Sequence, residues 1–128
     1  MSNKWKKEES RTEIKGFWNR EEGNDIEGIL IKKVTLKDDN AFYLVKLLSG
    51  PVTIDDKGKP GKAGKDDVIG VSAMSAVETA FDDILTRGEP YAVKVISHGK
   101  KPHPKDPKKT LWEMEVFSMT AKEANIPF

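Results

Sequence analysis

One stretch of this chain has the pattern of a helix of ordinary length, and nearly everything around it reads as extended. Ser75-Ala76-Val77-Glu78 matches a capping box, in which the serine side chain caps the first turn and the glutamate reaches back. Val77, Ala80, Phe81, Ile84 and Leu85 then place apolar side chains at helical spacing, Gly88 supplies a stop, and Pro90 follows it. With 128 residues the chain has the length of one domain and can bury a real core without staples. With a single helix to contribute, that core has to come from strands.

Five strands are legible. Ile26 to Leu36 is rich in β-branched residues and long, and Gly28 inside it predicts a bulge or sharp bend. Phe42 to Leu48 follows the turn residues Lys37-Asp38-Asp39-Asn40; Tyr43, Val45 and Leu47 make its core face, while Phe42, Leu44 and Lys46 point the other way. Asp67 to Val71 is the third strand, Tyr91 to His98 the fourth and Leu111 to Met119 the fifth. Ser49 to Lys65, dense in glycine, proline and charge, reads as a long loop with a short extended piece at Val52-Thr53-Ile54. Residues 1–25 read as a polar arm, ordered from Gly16 onward, and residues 120–128 as a tail. Three strands, one helix and two strands over residues 26–119 is the layout of the OB-fold, a five-stranded Greek-key barrel with its helix between strands three and four. A βαββαβ sandwich would need a second helix.

Composition excludes several chemistries. There is no cysteine, hence no disulfide, thiolate metal site or cysteine nucleophile. Gly61-Lys62-Ala63-Gly64-Lys65-Asp66 lacks the Ser or Thr and the first glycine of a phosphate loop. Asp55-Asp56-Lys57-Gly58 lacks the later glutamate of a calcium loop, and His98 and His103 lack partners for zinc. Glu113 and Glu115 read as a solvated strand face rather than a paired-carboxylate site. No catalytic set, metal or cofactor is expected. The N-terminus has no apolar segment behind its charges and no apolar run approaches a membrane span, so a cytoplasmic protein is expected.

The net charge of +1 conceals its distribution. Gly99 to Lys109 holds Lys100, Lys101, Lys105, Lys108 and Lys109 among prolines, with Asp106 the one acid. In the OB layout this basic loop joins strands four and five beside the binding face, where lysines contact phosphates without reading sequence. Lys32, Lys46 and Lys94, with His98 on the same outward face as Lys94, extend that expectation onto the strands. Bases stack on aromatic side chains. Phe42, which shares a face with Lys46, is the best candidate. Trp112 is a weaker one, since its alternation partners Met114 and Val116 read as core; Trp18 reads equally as a stacking residue or as a plug closing the barrel end.

The last three residues are Ile126-Pro127-Phe128. An Ile-Pro-Phe tip at the extreme C-terminus resembles that of bacterial single-stranded DNA-binding proteins. Little acidic charge precedes it here and no glycine- and glutamine-rich linker is present, so the resemblance is to a compact, divergent member of phage or plasmid type. It implies an OB-fold that binds single-stranded DNA with little sequence preference in replication, recombination or repair. It also implies a tip that recruits repair or replication enzymes by C-terminal capture of the phenyl ring and carboxylate, and a possible homo-oligomer. An OB-type module that holds a protein partner is the alternative. A nuclease subunit would need clustered acidic ligands, which the sequence does not offer.

Overall fold

The computed structural model of the protein describes residues 14–36 and 40–125. Eight strands and one helix follow one another: β1 (Phe17–Trp18), β2 (Ile26–Thr35), β3 (Ala41–Leu47), β4 (Val52–Asp56), β5 (Lys59–Ala63), β6 (Val68–Ser72), α1 (Ser75–Leu85), β7 (Tyr91–His103) and β8 (Asp106–Thr120). All eight strands belong to one curled sheet in the order β5-β4-β1-β6-β3-β2-β7-β8. The protein is mainly β, as the sequence predicts, but with eight strands among the described residues in place of five. No helix among the described residues is long and apolar enough to cross a membrane.

The three added strands come from segments whose composition disguises them. β4 and β5 form a hairpin inside the stretch read as a loop, β4 containing the extended piece expected at Val52-Thr53-Ile54. Asp56 pairs with Lys59 across the two-residue turn Lys57-Gly58, whose φ angles of 52° and 83° are the double positive values of a type I′ turn. Glycine and proline mark hairpin chemistry here, and Pro60 is tolerated because β5 is the sheet's edge. β1 joins the sheet from within the stretch read as an arm, pairing with β4 and, in parallel, with β6. Trp18 enters the core at 6 % exposure, and its indole N–H donates to the Asn24 carbonyl at 2.8 Å. Asn24 in turn exchanges hydrogen bonds with the backbone of Thr53 on β4. The Ser97 hydroxyl donates to the Arg20 carbonyl at 2.5 Å, and the Ser97 amide donates to Asp25. Polar residues 19–25 are therefore a strap tied down by specific hydrogen bonds, which hydropathy alone does not reveal.

The basic stretch after Gly99 is also no loop. β7 and β8 continue as a two-stranded ribbon, with Pro102 paired to Thr110 and the turn at Pro104-Lys105. The helix lies where its periodicity puts it, but the capping box does not form. Met74 is the N-cap without a side-chain hydrogen bond, so Ser75 falls one position too late and Glu78 faces Lys33 at 3.6 Å. A reciprocal box forms instead past β8. Thr120 and Glu123 bond each other's backbone and side chains, the Thr120 bonds hold the Glu123 carboxyl below its usual value, and Ala121 is buried. The segment after residue 119 thus begins as packed structure.

Tyr43, Val45 and Leu47 form the core face of β3, joined by Ile26, Leu30, Ile69, Val71, Val93, Val95 and the helix residues Val77, Phe81 and Ile84. The ring of Phe81 meets Tyr43 edge to face at 5.0 Å. Beside them the Tyr43 hydroxyl donates to Asp82 at 2.7 Å, and Lys33 bridges to Asp82 at 3.2 Å. Burial pushes the Tyr43 hydroxyl's pKa up, and Asp82 pushes it further. The Tyr43 hydrogen bond is the main cause holding Asp82 below its ordinary value, with Lys33 assisting against partial burial. β2 and β3 approach closely at Gly28, where a Cβ would collide with Val45 Cγ1 and lie 2.6 Å from the Lys46 carbonyl oxygen. The register slip comes slightly later, between Leu30 and Lys32.

Two outcomes follow. Gly28→Ala destabilises the fold by about 1–3 kcal/mol, the usual cost of overpacking, measurable as a lower midpoint in urea at unchanged slope. The Asp82 contacts act fully above the ordinary aspartate value of 3.8 and are lost as pH falls through the lowered folded value. Stability therefore drops on acidification below that value, and Asp82→Asn is less stable at neutral pH with a shallower acid-side decline in denaturation midpoints.

Candidate nucleic-acid interface

Cross-strand partners share a sheet face, so the register identifies what lies opposite the core. Phe42 pairs with Val34 and Ser72, Leu44 with Lys32 and Gly70, and Lys46 with Ile29 and Val68. Ile29 pairs with Ala92, which pairs with Met119; Glu27 pairs with Lys94, which pairs with Phe117. Phe17 joins from β1, opposite Gly70. One outer face thus runs from β1 across β6, β3, β2 and β7 to β8.

At one end of this face Phe17 and Phe42 meet edge to face, centroids 5.2 Å apart and planes 78° apart. Phe17 is 37 % exposed. Its ring lies over Gly70, where a Cβ would come within 2.7 Å of it, so the glycine makes room for the pair. Lys32 and Lys46 are exposed on the same face. At the other end Ile29, Ile31, Ala92, Phe117 and Met119 line a groove of about 840 Å³, rimmed by Lys46, Lys65 and Lys94 and by the acids Glu27 and Asp66. Phe117 is 50 % and Met119 49 % exposed. Lys94 contacts Glu27 at 3.4 Å, an exposed pair of the kind worth little and open to competition from a phosphate. His98 contacts Glu115 at 3.1 Å.

The residues predicted from sequence divide between two faces. Lys32, Phe42, Lys46 and Lys94 lie together on the outer face. Trp18 is core, and its indole offers no face to a base. Trp112 lies in phase with Met114 and Val116, which pack against the core, and opposite Lys100. Arg20 at 4.8 Å and Lys100 at 5.3 Å lie over its half-buried ring. Of the ribbon lysines, Lys100, Lys105, Lys108 and Lys109 are exposed, while Lys101 is half-buried and contacts Glu22 at 3.8 Å. Ile126, Pro127 and Phe128 lie outside the described residues. Phe117 and Lys65 are absent from the sequence-derived set. The alternation that puts Trp112 inward puts Phe117 outward, but its companions Glu113 and Glu115 mark that face as merely solvated.

No family model matches the chain, and the comparisons found no curated protein and no solved structure similar to it.

The division of β3 between two faces has a direct consequence. Tyr43→Ala lowers stability by about 3–5 kcal/mol, as loss of a buried ring does. Phe42→Ala leaves the melting temperature within a few degrees of the parent, because its ring packs on Phe17 outside the core. Thermal melts of the two variants check the assignment.

Proposed function

We propose that this protein binds single-stranded DNA with little sequence preference, on the outer face of the sheet and the adjoining β7–β8 ribbon, without catalysing a reaction. The observation that carries the reading is the Phe17–Phe42 pair. Two aromatic rings are held outside the core over a glycine, on the same face as Lys32 and Lys46, on strands whose opposite face already supplies the core. Rings of this kind give bases a stacking surface independent of sequence, and neighbouring lysines meet the backbone. The ribbon adds Lys100, Lys105, Lys108 and Lys109. His98 sits at its base, engaged with Glu115.

The finer fold assignment belongs to the same proposal. Without β1, β4 and β5 the sheet reads β6-β3-β2-β7-β8, and α1 falls between the third and fourth of these in chain order, as in an OB barrel. The remaining strands then extend the barrel sheet beyond β6. A cytoplasmic role in replication, recombination or repair is part of the same proposal and rests on the resemblance of Ile126-Pro127-Phe128, outside the described residues, to the tip of single-stranded DNA-binding proteins.

Fluorescence anisotropy with a labelled single strand, the matching duplex and an RNA of the same sequence tests the reading. Single-stranded DNA binds most tightly, with affinity falling linearly in log salt. Replacing Lys100, Lys101, Lys105, Lys108 and Lys109 by glutamine flattens that slope by up to about 0.7 for each phosphate no longer neutralised. An unchanged slope removes the ribbon from the site, and no binding to any nucleic acid refutes the function.

A further inference from the structure

The groove at Phe117 is far from the Phe17–Phe42 pair yet on the same face, and the register measures the distance between them. Phe42 stands opposite Val34 on β2, and Phe117 reaches Glu27 on β2 through Lys94. From Glu27 to Val34 is about 20 Å along the strand, given the slip near Ile31, and β3 to β8 is about 14 Å across at ordinary strand spacing. The two aromatic positions are thus roughly 25 Å apart along a diagonal of the sheet. On the outer face Lys32, opposite Leu44, lies between them, and Lys46, Lys94 and Lys65 stand at the groove's rim.

An apolar ring at each end, a cation between them and cations at the groove's rim suit one long ligand that alternates planar apolar groups with negative charges. A single strand of DNA has that chemistry. Glu27 and Asp66 beside the groove oppose any anionic ligand alike, so the rings decide: every nucleotide brings a planar base to set on them, whereas an acidic peptide has no such regular supply. Resting on the function proposed above, we infer that Phe117 is a second stacking platform, and that a bound strand crosses the sheet diagonally from Phe42 over Lys32 and past Lys46 and Lys94 into the groove. Met119 and Ile29 wall the base held there, and Lys65 meets its phosphate. The span sets a minimum length: a strand shorter than about four nucleotides, the lower bound for sites on domains of this size, occupies one platform only.

The experiment is a length series of oligothymidylates, from three to fifteen nucleotides, titrated against the parent, Phe42→Ala, Phe117→Ala and the double variant. Melting temperatures are recorded alongside, and Phe117→Ala keeps the parent's because half of its side chain is already exposed. For the parent, affinity steps upward once the strand bridges both rings. Phe117→Ala removes that step and weakens the longest oligomers by about tenfold, the order of one lost stack. It changes trinucleotide binding less than twofold and leaves the salt slope intact. Equal affinities of Phe117→Ala and the parent at every length overturn the second platform while leaving DNA binding at Phe42 standing. A parent that binds none of the oligomers refutes the underlying function instead.

Discussion

Side chains alternate along a strand, so a sheet that buries one face releases every second residue to the other. In β3 this partition separates core from candidate site. Tyr43, Val45 and Leu47 are buried in the core, Tyr43 against the helix, while Phe42 and Lys46 are turned outward by the same backbone. The outer face shares its backbone with the core behind it, and its exposed side chains, unlike the buried Leu44, can be changed without opening that core. The helix contributes by closing the inner face. Phe81 packs on Tyr43, and Asp82 collects the Tyr43 hydroxyl and the Lys33 ammonium at the rim. The curled sheet brings Trp18 of β1, Val52 and Ile54 of β4 and Ala63 of β5 into the same core as Val93 and Val95 of β7, and Gly28 leaves room for the close approach of β2 to β3.

Periodic features were legible in the sequence and local hydrogen-bonding features were not. The apolar stripe of α1, the alternation of β3 and the position of the helix among the main strands follow from spacing alone. Val52-Thr53-Ile54 announced the start of β4, but β5 and the hairpin were hidden because glycine, proline and lysine look the same in a loop as in a tight hairpin at a sheet edge. β1 was hidden because two residues carry no period, and because the strap that places Trp18 depends on Asn24, Asp25 and Ser97 finding distant partners. The Ser75 box matched a motif whose register was off by one residue, since Met74 ends the extended segment.

The candidate site was half legible for a related reason. Phe42 could be placed because its neighbours Tyr43 and Val45 announced a face. Phe117 has the same relation to Val116 on β8, but the glutamates in phase with it outweighed one ring. Trp18 and Trp112 attracted attention as large aromatics, yet one is a core side chain and the other is held under Arg20 and Lys100. Exposure on a shared face, rather than aromatic character, distinguishes a base platform from packing, and only the register reveals which residues share a face.

Photocrosslinking tests the central claim most directly. A single-stranded oligothymidylate is irradiated on the intact protein, and the crosslinked residues are located by peptide mass spectrometry. Adducts are expected on the outer face, at Phe42 and Phe17, and none at the buried Trp18. Adducts concentrated at Trp112, with the outer face unmodified, would place the nucleic acid on the opposite side of the sheet and contradict it.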